Sequence, residues 1–464
     1  MSQPISRRRF LGQVNCAAIS SLPILSTLLN LKLAGTLAAD TSPTDHRALV
    51  CLFFSGGMDS FNVLVPHGPS EYAEYKRVRG GVALPQASLL GINPLGSPGL
   101  QLGLHPGLPE LKKLFDDGHA AFVSNVGTLI EPITKNDYDN DLKRLPLGLY
   151  SHSDQIEQWH TSLPHTRSSK GWAGRVADML RSLNTNDNVS MNISLSGSNT
   201  WQSGDSVYEY TVGTEGAEPL NQYDPSNTDS YSTVPIRTKA IDSQLGFQYQ
   251  HLLQQAFTAR KQGALDAYTL FNRATADEIP GVIFPDTHLG RQLKMVAKAI
   301  GGHEMLGQLR QTFFVEYGGW DHHDSLIKSQ GEMLPEVDAA IKAFYAALTA
   351  LGRQNNVTLF TASDFGRTLT TDAAGTDHAW GGNQFVVGGA VRGNRIYGRY
   401  PDLELDNPLD VGRGRLIPQV SVDSYFAELA LWFGVPKSRL TEVFPNLGNF
   451  YSAGSSTPPL GFVA

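Results

Sequence analysis

Cysteine is nearly absent from this chain: two in 464 residues, Cys16 and Cys51. Cys16 falls in an N-terminal export leader, so Cys51 has no partner and no intrachain disulfide can staple the mature protein. Stability must then come from a large hydrophobic core. Cys-x-x-Cys-His and iron–sulfur spacings are missing, which argues against haem and cluster chemistry. No Gly-x-Gly-x-x-Gly follows the first predicted strand, which argues against a dinucleotide fold. Charge of one sign is also scarce. The formal net charge is −7, and four of the positive charges (Arg7, Arg8, Arg9, Lys32) lie in the leader, which has no acidic residue. Its removal takes the mature chain to −11. An acidic surface without basic runs disfavours nucleic acid and anionic membrane as partners. Long unbroken apolar runs are missing too. The stretch from Phe10 to Leu31 is interrupted by Gln13, Asn15, Ser20, Ser21, Ser26 and Asn30, with Pro23 in its middle, which makes a poor bilayer helix.

What is present starts with an address. Ser6-Arg7-Arg8-Arg9-Phe10-Leu11 precedes that apolar stretch, and small residues close it at Thr36-Leu37-Ala38-Ala39. Paired arginines with an apolar follower are a receptor-read export signal. The expectation is a twin-arginine signal peptide over 1–39, with the translocase as a transient partner and a periplasmic or secreted product. No stable membrane span would remain after cleavage. Gln13-Val14-Asn15 before Cys16 is not a lipobox. The remaining ~425 residues suit a single large domain over 40–464.

Short apolar runs bounded by turn residues recur at 48–54, 120–123, 312–315, 357–361 and 385–389, each of the length of a buried strand. Helical spacing falls between them, at about 107–117, 171–183, 245–275, 289–300 and 333–352. Strand–helix alternation with continuously apolar strands predicts an α/β three-layer sandwich around a mostly parallel sheet. Residues 184–236, rich in Asn, Ser, Thr, Gly and Tyr, lack that rhythm and read as an irregular insertion or small β excursion.

In an open parallel sheet, ligands sit beyond the carboxyl ends of the strands. Ser55-Gly56-Gly57-Met58-Asp59 follows the first strand and exposes Asp59, a hard oxygen ligand or alternatively a helix cap. Glu316-Tyr317-Gly318-Gly319-Trp320-Asp321-His322-His323-Asp324 follows the 312–315 strand and sets imidazole beside carboxylate, a donor set that suits zinc or another first-row ion. After 357–361 come Asp364 and Arg367, the latter able to hold an oxyanion or to pair with Asp364. His378 follows, flanked by glycines at 375 and 381–382. Ser151-His152-Ser153-Asp154 reads as a helix start with Ser151 or Ser153 as cap. A serine there sits in positive potential, and a nearby metal would let it act as a nucleophile.

These segments, with Gly171-Trp172-Ala173-Gly174-Arg175, resemble the DUF1501 family, a bacterial group of uncharacterised function often exported by the twin-arginine route. The match spans nearly the whole mature chain. The family in turn is similar to the alkaline phosphatase and sulfatase superfamily. That resemblance implies an alkaline-phosphatase-like sandwich with a divalent-metal site (Zn, Mg or Ca) at the sheet edge. It implies Asp59, Asp321, His323, Asp364 and His378 as ligands, with His322 the alternative to His323. It implies Ser151 as nucleophile, with Ser153 the alternative, and Arg367 as the group neutralising the transferred moiety. Two positions depart from the superfamily pattern. Asp364-Phe365 stands where an Asp-His pair is usual, and Asp321 to His323 is shorter than Asp-x-x-x-His. No Cys-x-Pro-x-Arg or Ser-x-Pro-x-Arg motif supplies a sulfatase's modified nucleophile. The expected activity is an exported metal-dependent hydrolase of phosphate or sulfate esters on a small molecule or polymer. The alternative is a non-catalytic periplasmic or cell-surface binding protein on a degenerate core, supported by the imidazole lost at Phe365.

Overall fold

A computed structural model describes residues 45–97, 99–372 and 374–464. The signal peptide expected over 1–39 therefore lies outside the described residues.

The central sheet is built from β1 (Arg47–Phe54), β2 (Ala120–Gly127), β3 (Asn192–Ser194), β4 (Tyr210–Thr211), β5 (Arg310–Glu316), β6 (Val357–Ser363), β7 (Gly382–Val387), β8 (Ile396–Tyr397) and β9 (Val420–Ser421). Their order is β8-β2-β7-β6-β1-β5-β3-β4, with β9 also beside β2. Only β7 runs antiparallel to its neighbours, β2 and β6. The first strand lies in the middle, parallel to β5 (Val50 opposite Phe313) and to β6 (Val50 opposite Leu359). That position explains its unbroken apolar run: a parallel strand covered on both faces has no polar side.

Side-chain alternation along β1 divides the core in two. Ala48, Val50, Leu52 and Phe54 face a layer that includes α2 (Pro109–Asp116), α7 (His288–Gly301) and α8 (Leu326–Ala350). Leu49, Cys51 and Phe53 face the opposite layer, which includes Trp159 of α3 (His152–Thr161), α4 (Trp172–Leu180) and α9 (Val422–Phe433). Three layers follow directly from this period of two. Outside the sandwich, α1 (Pro69–Arg79) packs beside a short three-stranded sheet, and a hairpin formed by Arg367–Asp372 and Gly375–His378 leaves the end of β6. The helices α5 (Val234–Leu245) and α6 (Leu252–Ala274) form a separate pair.

The mixed α/β class with a large, mostly parallel sheet is as expected. Residues 184–236 differ in detail from a detached insertion, because β3 and β4 within them extend the central sheet past β5. Asn192 and Gln202 tie that edge down: Gln202 Nε2 donates to Thr312 O at 3.2 Å and to Ile193 O at 3.1 Å. These strands are too short to show a period, and their pairing partners come from distant sequence. Helix α8 begins at Leu326 although Pro335 lies inside it, so the proline that looks like a first-turn residue is passed through. His46–Ala464 forms one compact unit. No described helix is long and apolar enough to cross a membrane.

Candidate metal centre

The carboxyl ends of β1, β5 and β6 meet at one sheet edge, and the start of α3 and the hairpin after β6 close over it. The turn after β1 is sterically fixed. Gly56 has φ +113°, and a Cβ there would stand 2.6 Å from the Asp321 backbone nitrogen. Gly57 has φ +79°, and its Cβ would enter the Phe365 ring at 2.5 Å. Only glycine lets the β1 turn pass between the Asp321 and Phe365 loops.

Three imidazoles and one carboxylate converge. His378 Nε2 lies 3.1 Å from His152 Nε2 and 3.1 Å from His323 Nε2. Asp321 Oδ1 lies 3.0 Å from His323 Nε2 and 3.5 Å from His378 Nε2, and its Oδ2 lies 3.6 Å from His152 Nε2. Ligand atoms of His152, Asp321 and His378 all fall within 4.8 Å of one another. Tetrahedral ligands at 2.0–2.1 Å from a zinc-class ion would be separated by about 3.3–3.4 Å. The spacings of 3.1 Å (His152–His378), 3.5 Å (His378–Asp321) and 3.6 Å (His152–Asp321) lie close to that value, and His323 Nε2 adjoins this set through His378 and Asp321.

What lies behind each ring is equally informative. His152 Nδ1 is 2.6 Å from Asp364 Oδ2, His378 Nδ1 is 2.8 Å from the Tyr150 carbonyl, and His323 Nδ1 is 3.4 Å from Asp377 Oδ1. A carbonyl can only accept, so the His378 proton sits on Nδ1 and the Nε2 lone pair points inward. The Asp364 carboxylate imposes the same tautomer on His152. This outer-shell arrangement is how metal-ligating histidines are oriented. Tyr150 adopts φ +72° to aim that carbonyl, and Gln155 Oε1 accepts its N–H at 2.7 Å. An unfavourable backbone held at a cluster of functional groups fits a positioning role.

Protonation follows from the surroundings. The hydrogen bond to Asp364 raises the pKa of His152, against a smaller opposing effect of burial. Desolvation lowers that of His378 and keeps its Nε2 lone pair available. Burial pushes Asp321 upward, but the Arg367 hydrogen bond and charge, with His323 and His152, hold it below the usual carboxylate range. Without an ion, a protonated His152 can donate from Nε2 to His378.

Each residue singled out from the sequence has a definite place. Asp321, His323 and His378 belong to the converging set, and the structure distinguishes His323 from His322. The His322 ring is buried, and neither of its nitrogens has a hydrogen-bond partner. Asp364 is fully buried behind His152, with Oδ1 accepting the Gly56 N–H at 3.1 Å; it orients the His152 ring from behind. Asp59 is also set apart from the set. Its Oδ2 accepts from Arg79 Nη2 at 2.7 Å and from Thr376 Oγ1 at 2.9 Å, in a buried ion pair.

Arg367 is buried, and its guanidinium donates to Gly57 O at 2.7 Å, to Thr376 O at 2.9 Å, to Gly56 O and to Asp321 Oδ1. It locks Asp321 in place and is committed to that task. Ser151 caps α3, with its hydroxyl donating to Asp154 Oδ2 at 2.8 Å and standing 3.2 Å from Ser153 Oγ. Phe365 packs 4.8 Å from the His152 ring and 4.7 Å from the His378 ring.

The residue sequence reasoning passed over is His152. It lies within Ser151-His152-Ser153-Asp154, whose local pattern reads as a capped helix start. In the first turn, its ring reaches the carboxyl edge of β6, a contact across 212 residues that local pattern cannot disclose.

Comparison with known proteins gives a family but no activity. No curated protein matches. Among solved structures, Ps i-CgsB in complex with k-i-k-neocarrahexaose is similar at 12% identity, with 88% of this chain and 77% of that one covered and a TM-score of 0.33. The PsFucS1 sulfatase from Pseudoalteromonas sp. is similar at 9% identity, with 90% and 72% covered and a TM-score of 0.32. Wild-type alkaline phosphatase PafA shows 12% identity, 71% and 64% coverage and a TM-score of 0.28. Over residues 46–413 the sequence matches the family described as "Protein of unknown function (DUF1501)", and the chain belongs to that family.

Proposed function

We propose that this protein is an exported, metal-dependent hydrolase of phosphate or sulfate esters. The observation that carries the proposal is the convergence of His152 and His378 Nε2 with the Asp321 carboxylate, beside His323 Nε2, with the His152 and His378 rings each hydrogen-bonded from behind. Three imidazoles and a carboxylate fit a zinc-class ion better than calcium or magnesium, which prefer all-oxygen sites. When bound, such an ion supplies Lewis acidity and a lowered pKa for coordinated water.

The protein groups prepare the site for that role. Asp364 and the Tyr150 carbonyl hold the Nδ1 protons of His152 and His378, and Arg367 fixes Asp321 while lowering its basicity. Phe365 presents an apolar wall beside two of the rings, which limits water there. Ser151 is the candidate nucleophile at the amino end of α3. Asp154 accepts its proton, and Arg167 pairs with the other oxygen of Asp154 at 2.9 Å. One ion instead of two is favoured, because Asp59 is paired with Arg79 and Phe365 offers no donor.

The alternative, a binding protein on the same core, draws on two observations. Arg367 has its donors committed within the fold, and the Ser151 hydroxyl is committed to a cap. Turnover of aryl phosphates and aryl sulfates by zinc-, manganese- or calcium-loaded protein, beside Ser151→Ala and Asp321→Ala, separates the two. The hydrolase reading expects turnover abolished by Asp321→Ala and reduced at least a hundredfold by Ser151→Ala. Retained ligand affinity in Ser151→Ala with no turnover in any form supports the binding protein.

A further inference from the structure

Far from the imidazole cluster in sequence, α5 and the first turns of α6 carry an unusual surface. Thirteen large hydrophobic side chains are exposed among the described residues, and six of them (Tyr231, Ile236, Phe247, Leu252, Leu253, Phe257) fall within 27 consecutive positions. Leu252 is 78% exposed, Leu253 75% and Phe257 66%. Helix α6 is anchored only through its second half, where Leu265, Ala267 and Phe271 are buried, and α5 buries only Thr238. The apolar tip therefore stands clear of the core. A cavity of about 470 Å³ opens beneath it, with Ile241, Leu245, Tyr249 and Phe257 among its walls. Scattered apolar residues need no explanation, but a concentrated patch marks an interaction surface.

Charge indicates what covers it. The whole chain is net −7, yet residues 231–262 contain four basic residues (Arg237, Lys239, Arg260, Lys261) and one acidic residue, Asp242. Lys261 Nζ lies 5.9 Å from the Phe257 ring centre, so cation and aromatic are presented together. A helix pair with exposed Leu and Phe beside Lys and Arg has the composition of an element that lies in a membrane interface. Anionic headgroups attract juxtaposed basic residues, each contributing about a fivefold gain in binding. A second copy of the chain fits less well. A two-fold contact through the same patch brings two copies of a surface bearing Arg237, Lys239, Arg260 and Lys261 together, and like charges oppose it.

We propose that the α5–α6 hairpin docks on the surface of a bilayer rich in anionic phospholipid, its apolar tip entering the headgroup boundary and its basic residues pairing with phosphates. The docking is peripheral, in keeping with the finding that no described helix is both long and apolar enough to cross a membrane. It accounts for an exposed apolar tip with Arg260 and Lys261 beside it.

Vesicle flotation tests this with residues 40–464, whose core lies within His46–Ala464 and which lacks the apolar leader. Phosphatidylcholine vesicles with and without about 30 mol % phosphatidylglycerol are compared. Binding is expected only to the anionic vesicles and should weaken as salt rises. Leu252→Asp/Leu253→Asp should abolish it, and Arg260→Glu/Lys261→Glu should reduce it about tenfold or more. Because these side chains are exposed, circular dichroism should match wild type. Equal binding to neutral vesicles, or no binding to either, overturns the proposal. So does a concentration-dependent dimer in sedimentation that Leu253→Asp dissociates.

Discussion

Asp364→Asn tests how the metal centre is organised. The side chain is fully buried and serves two donors: Oδ1 accepts the Gly56 N–H at 3.1 Å, and Oδ2 faces His152 Nδ1 at 2.6 Å. An amide has one acceptor and one donor end. If its oxygen is kept toward Gly56, the NH2 meets His152 Nδ1 and drives the ring proton to Nε2, where it blocks the inward lone pair. If the amide is flipped, the NH2 meets the Gly56 N–H donor to donor. The flipped orientation leaves a buried donor unserved, a penalty of about 1–3 kcal/mol in stability, so the orientation that shifts the ring proton to Nε2 is preferred. The effect on the metal should be larger than the volume change suggests. Loss of an outer-shell partner typically lowers metal affinity about 10–100-fold, or about 1.4–2.7 kcal/mol. Competition of zinc against a chromogenic chelator measures this directly, with urea unfolding run in parallel. Wild-type zinc affinity in a folded Asp364→Asn protein would refute the role assigned to Asp364 and the tautomer assigned to His152.

Other consequences are equally open to measurement. His323→Ala should weaken zinc binding at least tenfold, while His322→Ala leaves it within about twofold, because only His323 Nε2 faces the other ligands; the same chelator competition reads both. Arg367→Lys should cost about 3 kcal/mol or more in urea unfolding, since an ammonium cannot serve three carbonyls and Asp321 at once. Zinc affinity should fall on acidification through the raised pKa of His152, because the proton on Nε2 must leave before a metal can bind; calorimetry in buffers of differing ionisation enthalpy should show proton release. Stability should also fall below about pH 6.5. Burial depresses the pKa of His46 to about 3, of His105 to about 4 and of His160 to about 3. The unfolded chain then binds protons that the folded one refuses, at about 1.4 kcal/mol per pH unit for each histidine. An unfolding midpoint in urea that stays flat from pH 7 to pH 5 would contradict this.

Much of this was legible in the sequence because parallel sheets gather chemistry at one edge. Asp321, His323, Asp364, Arg367 and His378 all follow predicted strands, and all of them meet at the carboxyl edge. Their division of labour was not legible. Asp59 has the same strand-end signature as Asp321, but Arg79, returning from α1, neutralises it. Asp364 looked like a ligand and stands behind one, because α3 brings His152 between it and the other rings. Helix α9 gave no amphipathic signal, since eleven of its twelve residues are buried and a helix covered all round has no polar face. The strands β3 and β4 were hidden for a different reason: two or three residues cannot establish a period, and only their neighbours in the sheet define them.

The central claim is that His152, Asp321, His323 and His378 hold a metal ion. Mass-spectrometric metal analysis of the mature protein, purified without chelators or metal-affinity resin and beside Asp321→Ala and His378→Ala, tests it most directly. One zinc-class ion per chain is expected in the wild type, and its loss from both folded variants. A well-folded wild type that stays empty after addition of zinc, manganese, calcium or magnesium would contradict it.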